Sequence, residues 1–171
     1  MIVSDSSPLI YLAKLNHLKL LRELFNDVSV PEEVMREIAQ GRKLGFEDAE
    51  VIEKAKKDGW IKTISLEDKQ KEDVSGLLQT FDGISRADAS AIVLAESSDS
   101  ILCTDDGRAV TVAEVLDVKH IGTLGILLLA VKRNLMSKKQ VRELALSLPK
   151  RGFYATHSLL AEFLKKLDHL H

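Results

Sequence analysis

Residues 1–15, MIVSDSSPLIYLAKL, decide how the chain is read. Met1 to Ser4 form a short apolar strand candidate that delivers a carboxylate, Asp5, into a turn closed by Ser6 and Ser7. Pro8 falls at the first helical position, Ser7 suits the N-cap, and Leu9, Leu12 and Ala13 recur at helical spacing. A strand-to-helix turn carrying an acid is where an open α/β sheet builds its active site, at the C-terminal ends of its strands. Alone, Asp5 reads equally well as a helix cap, so its meaning depends on which acids arrive beside it.

Outward from this turn the alternation continues. LKLLRELF extends the helical periodicity, and DVSV is a strand candidate. VPEEVMREIAQG predicts a helix with Pro31 in its first turn, Glu32 and Glu33 at the positive N-terminus and Gly41 as its stop. Glu33 and Glu37 share a face beside the apolar stripe of Val34 and Ile38, which puts one glutamate at the edge of a cleft. FEDAEVIEKAKKDG predicts an amphipathic helix ending at Gly59, and WIKTIS a strand. Residues 66–83 are more polar, with a helix expected around Val74 to Leu78 and the EDKQKED run as a solvated face.

The later pattern is sharper. GISRADASAIVLAESS predicts a helix capped near Ser85, with Asp88 in its first turns. Ser100 to Thr104 read as a buried strand that stops at Asp105, Asp106 and Gly107. A helix over 108–116, a strand in DVKHIG and helices in TLGILLLAVKRN, SKKQVRELALSL and ATHSLLAEFLKKLDHL complete the chain. Strands alternating with helices predict an α/β fold of three layers, a central mainly parallel sheet with flanking helices. The expectation is a single domain over 1–171 with a helical C-terminal extension from about 137.

Composition narrows the function classes. Hydrophobic residues at 45% and charged residues at 29% describe a globular protein, and aromatics at 5% imply an aliphatic core. The longest apolar run, Ile126 to Val131, is far below the roughly 20 residues of a membrane span. No signal-peptide pattern precedes Asp5, so the expected location is cytoplasmic and no membrane partner is expected. The lone Cys103 reads as a small buried strand residue, and the dispersed histidines, with His169 and His171 in a solvated tail, make no zinc site. A net charge of −2 does not advertise nucleic-acid binding, although divalent ions in an acidic pocket would reverse the local sign.

The acids form the chemical pattern. In a parallel sheet two strand C-termini share one edge, so Asp5 and the pair Asp105 and Asp106 become neighbours, with Asp88 and Glu37 as further members. Carboxylates that close repel and raise one another's pKa, and Mg²⁺ or Mn²⁺ relieves the repulsion. Phosphodiester hydrolysis is the reaction that suits such an arrangement. Each acid also has a plain reading: exposed helix acids for Glu33 and Glu37, a dipole partner for Asp88, a turn for Asp105-Asp106-Gly107.

VSDSSPLIYLAKL, VPEEVMREI, SRADASAIVLA, ILCTDDG and IGTLGILLLAVKRN, in this order, resemble a branch of the PIN-like domains related to VapC-type toxins, over about residues 1 to 145. The resemblance implies a metal-dependent ribonuclease in which four acids hold Mg²⁺ or Mn²⁺. Asp5, Glu37, Asp88 and Asp106 match the four catalytic acids, with Asp5, Asp88 and Asp106 as direct metal ligands and Asp105 as an alternative to Asp106. Ser6 or Ser7 matches a small hydroxyl that supports the first acid or contacts a phosphate. Arg108 is the candidate for substrate binding, although it follows the DD pair sooner than the arginine of that branch, with Val110 near the usual place. Arg86, Lys132 and Arg133 are further cations available to steer RNA. The resemblance also implies cleavage to a 5′-phosphate and a 3′-hydroxyl, inhibition by a small cognate antitoxin, and a homodimer.

Two other readings stand beside the ribonuclease. One is a non-catalytic binding module on the same fold, favoured by the modest net charge. The other is an aspartyl-phosphate phosphatase or receiver domain, which the order of the acids opposes: receivers place an acidic pair after the first strand and a single acid later, the reverse of Asp5 and Asp105-Asp106.

Overall fold

The computed structural model describes residues 1–43 and 47–170. Five short strands, β1 (Ile2–Ser4), β2 (Val28–Pro31), β3 (Ile61–Ile64), β4 (Ile101–Cys103) and β5 (His120–Ile121), form one sheet in the order β3-β2-β1-β4-β5. Every pairing is parallel. Helices α1 (Ser6–Lys14) and α2 (Lys19–Phe25) join β1 to β2, and α3 (Glu32–Lys43) and α4 (Glu47–Lys57) lie between β2 and β3. Helices α5 (Asp68–Thr80) and α6 (Arg86–Ser97) lead to β4, and α7 (Gly107–Val115) connects β4 to β5. Helices α8 (Thr123–Lys132), α9 (Lys138–Ser147) and α10 (His157–His169) complete the chain. The protein is thus an α/β fold with an all-parallel central sheet between helical layers.

The central strands β1, β2 and β4 are mostly buried rather than alternating, because helices cover both faces, while the edge strands β3 and β5 are partly exposed. The core is aliphatic, and its fully buried large side chains are all Ile or Leu, such as Leu9, Leu21, Ile92 and Leu127. Helix α6 carries its alanines, Ala87, Ala89, Ala91 and Ala95, into this core, which lets its backbone lie close to the sheet. Helix α9 packs on α8, and α10 packs on both. Among the described residues no helix is long and apolar enough to cross a membrane.

Several local expectations shift. Asp5, not Ser7, is the N-cap of α1, which begins at Ser6, so Pro8 sits at the third helical position, still within the turn that lacks intrahelical donors. The opening helix breaks after Lys14, and Asn16 turns the chain with φ of 59° before α2 starts. Pro31 closes β2, and α3 runs past Gly41 to Lys43. The polar segment holds the longer helix α5, opened at Glu67, whose N–H donates to the Gln70 side chain at 2.8 Å. Phe46 and His171, placed by the sequence reading in a helix and a tail, lie outside the described residues.

The strand order reverses between β1 and β4: from β1 the chain moves outward to β2 and β3, then returns to β1's other side. Ligand crevices of parallel sheets form at such a switch point, beyond the strand C-termini. Ser4 pairs with Cys103, so Asp5 and Thr104 leave the sheet side by side.

Candidate functional site

Asp5 is the most deeply placed acid, 3% exposed at the end of β1. Its backbone N–H donates to the Cys103 carbonyl at 2.9 Å, which fixes the residue against β4. Its carboxylate accepts from the Ser6 N–H on Oδ1 at 2.6 Å, and from the Thr104 and Ser7 hydroxyls on Oδ2 at 3.2 and 3.4 Å. Burial, then the negative charge of Asp88 and later that of Glu37, pushes its pKa to about 7, against the lowering by the Ser6 and Thr104 bonds.

Glu37 and Asp88 reach this edge from different layers. Helix α3 starts where β2 ends, so its second turn is still near the strand C-termini, and the Ser6 hydroxyl donates to Glu37 Oε2 at 3.3 Å. Burial of its carboxyl end raises the Glu37 pKa, the Ser6 bond opposes this, and Asp88 raises it further. Helix α6 runs toward the start of β4, so its first turn lies at the opposite, functional edge. There Asp88 completes a capping box: its N–H donates to Ser85 Oγ at 3.0 Å, and Oδ2 accepts from the Ser85 N–H and hydroxyl at 3.2 and 2.6 Å.

The two acids after β4 diverge. Asp106 N-caps α7, its Oδ1 accepting from the Arg108 and Ala109 N–H groups at 2.9 Å each. Asp105 turns toward β5 and α8, where its two oxygens accept from the N–H and hydroxyl of Thr123 at 2.7 and 2.5 Å. A Cβ on Gly122 would stand 2.7 Å from Asp105 Oδ1, so the absent side chain is what lets this carboxylate reach the N-terminus of α8. Asp105 also raises the Tyr11 phenol pKa, second to burial.

The small hydroxyls tie the acids together. Ser7 Oγ donates to Asp5 and accepts from the Asp105 N–H at 3.3 Å, and Thr104 Oγ1 donates to Asp5 and accepts from the Asp106 N–H at 3.2 Å. Thr104 and Thr123 were not singled out in the sequence. The only hints were an isolated polar residue closing an apolar strand and a Gly-Thr step before a helix.

Of the predicted cations, Arg108 donates to the Gly83 carbonyl at 2.9 Å, clasping the loop between α5 and α6. Gly83 has φ of 76°, and a Cβ there would lie 1.7 Å from the guanidinium, so the clasp requires glycine. Lys132 and Arg133 sit at the far end of α8, about 15 Å of helix from Thr123, and are not on the acidic edge. Arg86 is exposed at the start of α6, next to Asp88 in the same turn.

The structure therefore brings Asp5, Glu37 and Asp88 within reach of one another's charge, with Asp106 linked through Thr104. Among the described residues no Lys, Arg or His forms an ion pair with any of the four. Nor do three or more His, Cys, Asp or Glu side chains there close into a ready-made metal cage. The donor set still fits a hard divalent ion: it is all oxygen, and Glu37 Oε1, Asp88 Oδ1 and Asp106 Oδ2 carry no hydrogen bond among the described residues. Helix capping thus holds one oxygen of Asp88 and one of Asp106 and leaves the other free. A family model described as a PIN domain matches residues 1–169. No curated protein matches the chain.

Proposed function

Because the chain belongs to the PIN-domain family, whose members are generally nucleases, we propose that it is a Mg²⁺- or Mn²⁺-dependent endoribonuclease. The observation that carries this reading is the convergence of Asp5, Glu37 and Asp88 with no cation paired to them among the described residues. Such a cluster costs folding free energy unless something positive occupies it.

Bound by these oxygens, a hard divalent ion would supply charge neutralisation at the phosphoryl group and acidify a nearby water. Asp5 holds the innermost ligand position, immobilised by three hydrogen bonds. Asp88 and Asp106 contribute the oxygens that their caps leave free, and Asp105 acts as a positioning residue that anchors the β4 turn to α8. Glu37, the most exposed of the four with Asp106, orients the attacking water and takes its proton, with Ser6 steadying the carboxylate. Water oxygen bonds to phosphorus as the bond to the 3′-oxygen breaks, leaving a 5′-phosphate, and the 3′-oxygen leaves as a hydroxyl after taking a proton from solvent.

The finer reading, a toxin held by a small cognate antitoxin, forming a homodimer and working in the cytoplasm, follows from the resemblance to VapC-type proteins. Growth arrest on expression, relieved by the product of a neighbouring short gene, tests it. A non-catalytic module is the second reading, favoured by the lack of a closed cage among the described residues. Cleavage of a mixed RNA pool with Mn²⁺, with EDTA and with Asp5→Asn separates the two. The nuclease reading requires cuts in Mn²⁺ alone; intact RNA from folded protein, or cuts that survive both EDTA and Asp5→Asn, refutes it.

A further inference from the structure

We propose that the groove between α8 and α10 seats a nucleobase of single-stranded RNA beside the phosphate presented to the acids, an inference that rests on the nuclease reading. The groove has a volume of about 470 Å³ and runs from Thr104 and Asp105 to Phe153, Tyr154 and Lys166. Thr104 and Asp105 follow β4 and immediately precede Asp106, so one end of the groove adjoins the turn that carries this acid.

Tyr154 is 89% exposed. In a chain with 5% aromatics the fold buries Trp60, Phe153 and Phe163 and leaves this ring in solvent at the groove. A free aromatic face is what an unstacked base takes, whatever its identity. The loop that displays the ring is fixed to α1: the Tyr11 hydroxyl donates to the Gly152 carbonyl at 2.9 Å, and the Tyr11 ring meets Phe153 edge-to-face at 5.0 Å. Lys14 and Arg151 add reciprocal bonds to each other's carbonyls at 3.4 and 2.7 Å. The platform is therefore preorganised, which lowers the entropic cost of binding.

Three cations accompany the exposed ring. Lys150 and Arg151 are exposed on the same loop, and Lys166 stands at the groove, its Glu162 partner at 2.8 Å being the one acid lining it besides Asp105. Cations interleaved with an exposed aromatic form the pattern of single-strand binding.

The test uses labelled single-stranded RNA titrated into the non-cleaving Asp5→Asn protein, with Tyr154→Ala and Tyr154→Trp added, and the two Tyr154 variants assayed alone for cleavage. The ring is almost wholly exposed, so unchanged melting serves as the folding control. Tyr154→Ala is expected to weaken RNA binding and raise KM by about 5- to 100-fold with kcat nearly unchanged, and Tyr154→Trp to restore both. Unchanged affinity and KM in Tyr154→Ala, with cleavage still dependent on Asp5, would overturn the groove and leave the nuclease reading intact. Loss of self-association instead of RNA affinity would also overturn it and mark a face between copies. Should the unmodified protein neither bind nor cut RNA, both readings fall together.

Discussion

The Thr104 hydroxyl donates to Asp5 Oδ2 at 3.2 Å across 99 residues of sequence, while accepting from the backbone of Asp106. One buried hydroxyl thereby sets the positions of two acids and lowers the pKa of the first.

Thr104→Val removes that bond and leaves Asp5 buried with one fewer donor. The Asp5 pKa rises, so the acidic limb of the cleavage pH profile moves to higher pH and activity at pH 7 falls about tenfold. Stability falls by about 1 to 2 kcal/mol in urea titrations, and Thr104→Ser restores both.

Asp5→Asn has opposite effects on stability and on activity. The carboxyl titrates near 7 in the folded chain and near 3.8 when unfolded. Its contribution is therefore fully present below about pH 3.8 and is lost as pH climbs through 7. The raised Glu37 and Asp105 act in the same direction. Metal-free Asp5→Asn should be more stable than the parent by about 1 to 3 kcal/mol at pH 8 and equal to it near pH 4, while losing cleavage. Chemical denaturation at the two pH values checks the sign.

Mn²⁺ should raise the melting temperature at pH 8 and hardly at pH 5, because protons compete for the same oxygens. EDTA reverses the rise, and Asp5→Asn abolishes it. A rise equal in Asp5→Asn would place the ion elsewhere.

Gly122→Ala pushes a methyl to within 2.7 Å of Asp105 Oδ1 and 3.2 Å of the Thr104 carbonyl. The expected cost is about 1 to 3 kcal/mol. In an Asp105→Ala background the added cost shrinks, a coupling read from a double-mutant cycle. The cleavage rate should drop in both single variants, since the turn that carries Asp106 loses its anchor.

Much of the candidate site was legible because its signals are local. Ser85 announces the cap of α6 with Asp88 in its first turn, and Pro31-Glu32-Glu33 announces the start of α3 almost to the residue. The pair Asp105-Asp106 was ambiguous because nothing within a turn's reach distinguishes its members. Thr123, 18 residues later, takes both oxygens of Asp105, while the N–H groups of Arg108 and Ala109 take Asp106. The bond from Arg108 to the Gly83 carbonyl spans 25 residues, so no local pattern signals it. Pro8 suits any of the first three helical positions, so local sequence does not separate Asp5 from Ser7 as the cap of α1.

By itself, the sequence of this protein determined its alternation of strands and helices, the acids at strand ends and the cap of α6 at Ser85, since these follow from hydrophobic period and from hydrogen bonds spanning a turn. Only the tertiary structure decided that β4 returns beside β1, so that Asp5 emerges abreast of Thr104 and meets Glu37 and Asp88. Strand order depends on burying every apolar face at once, a condition that no local stretch of sequence contains.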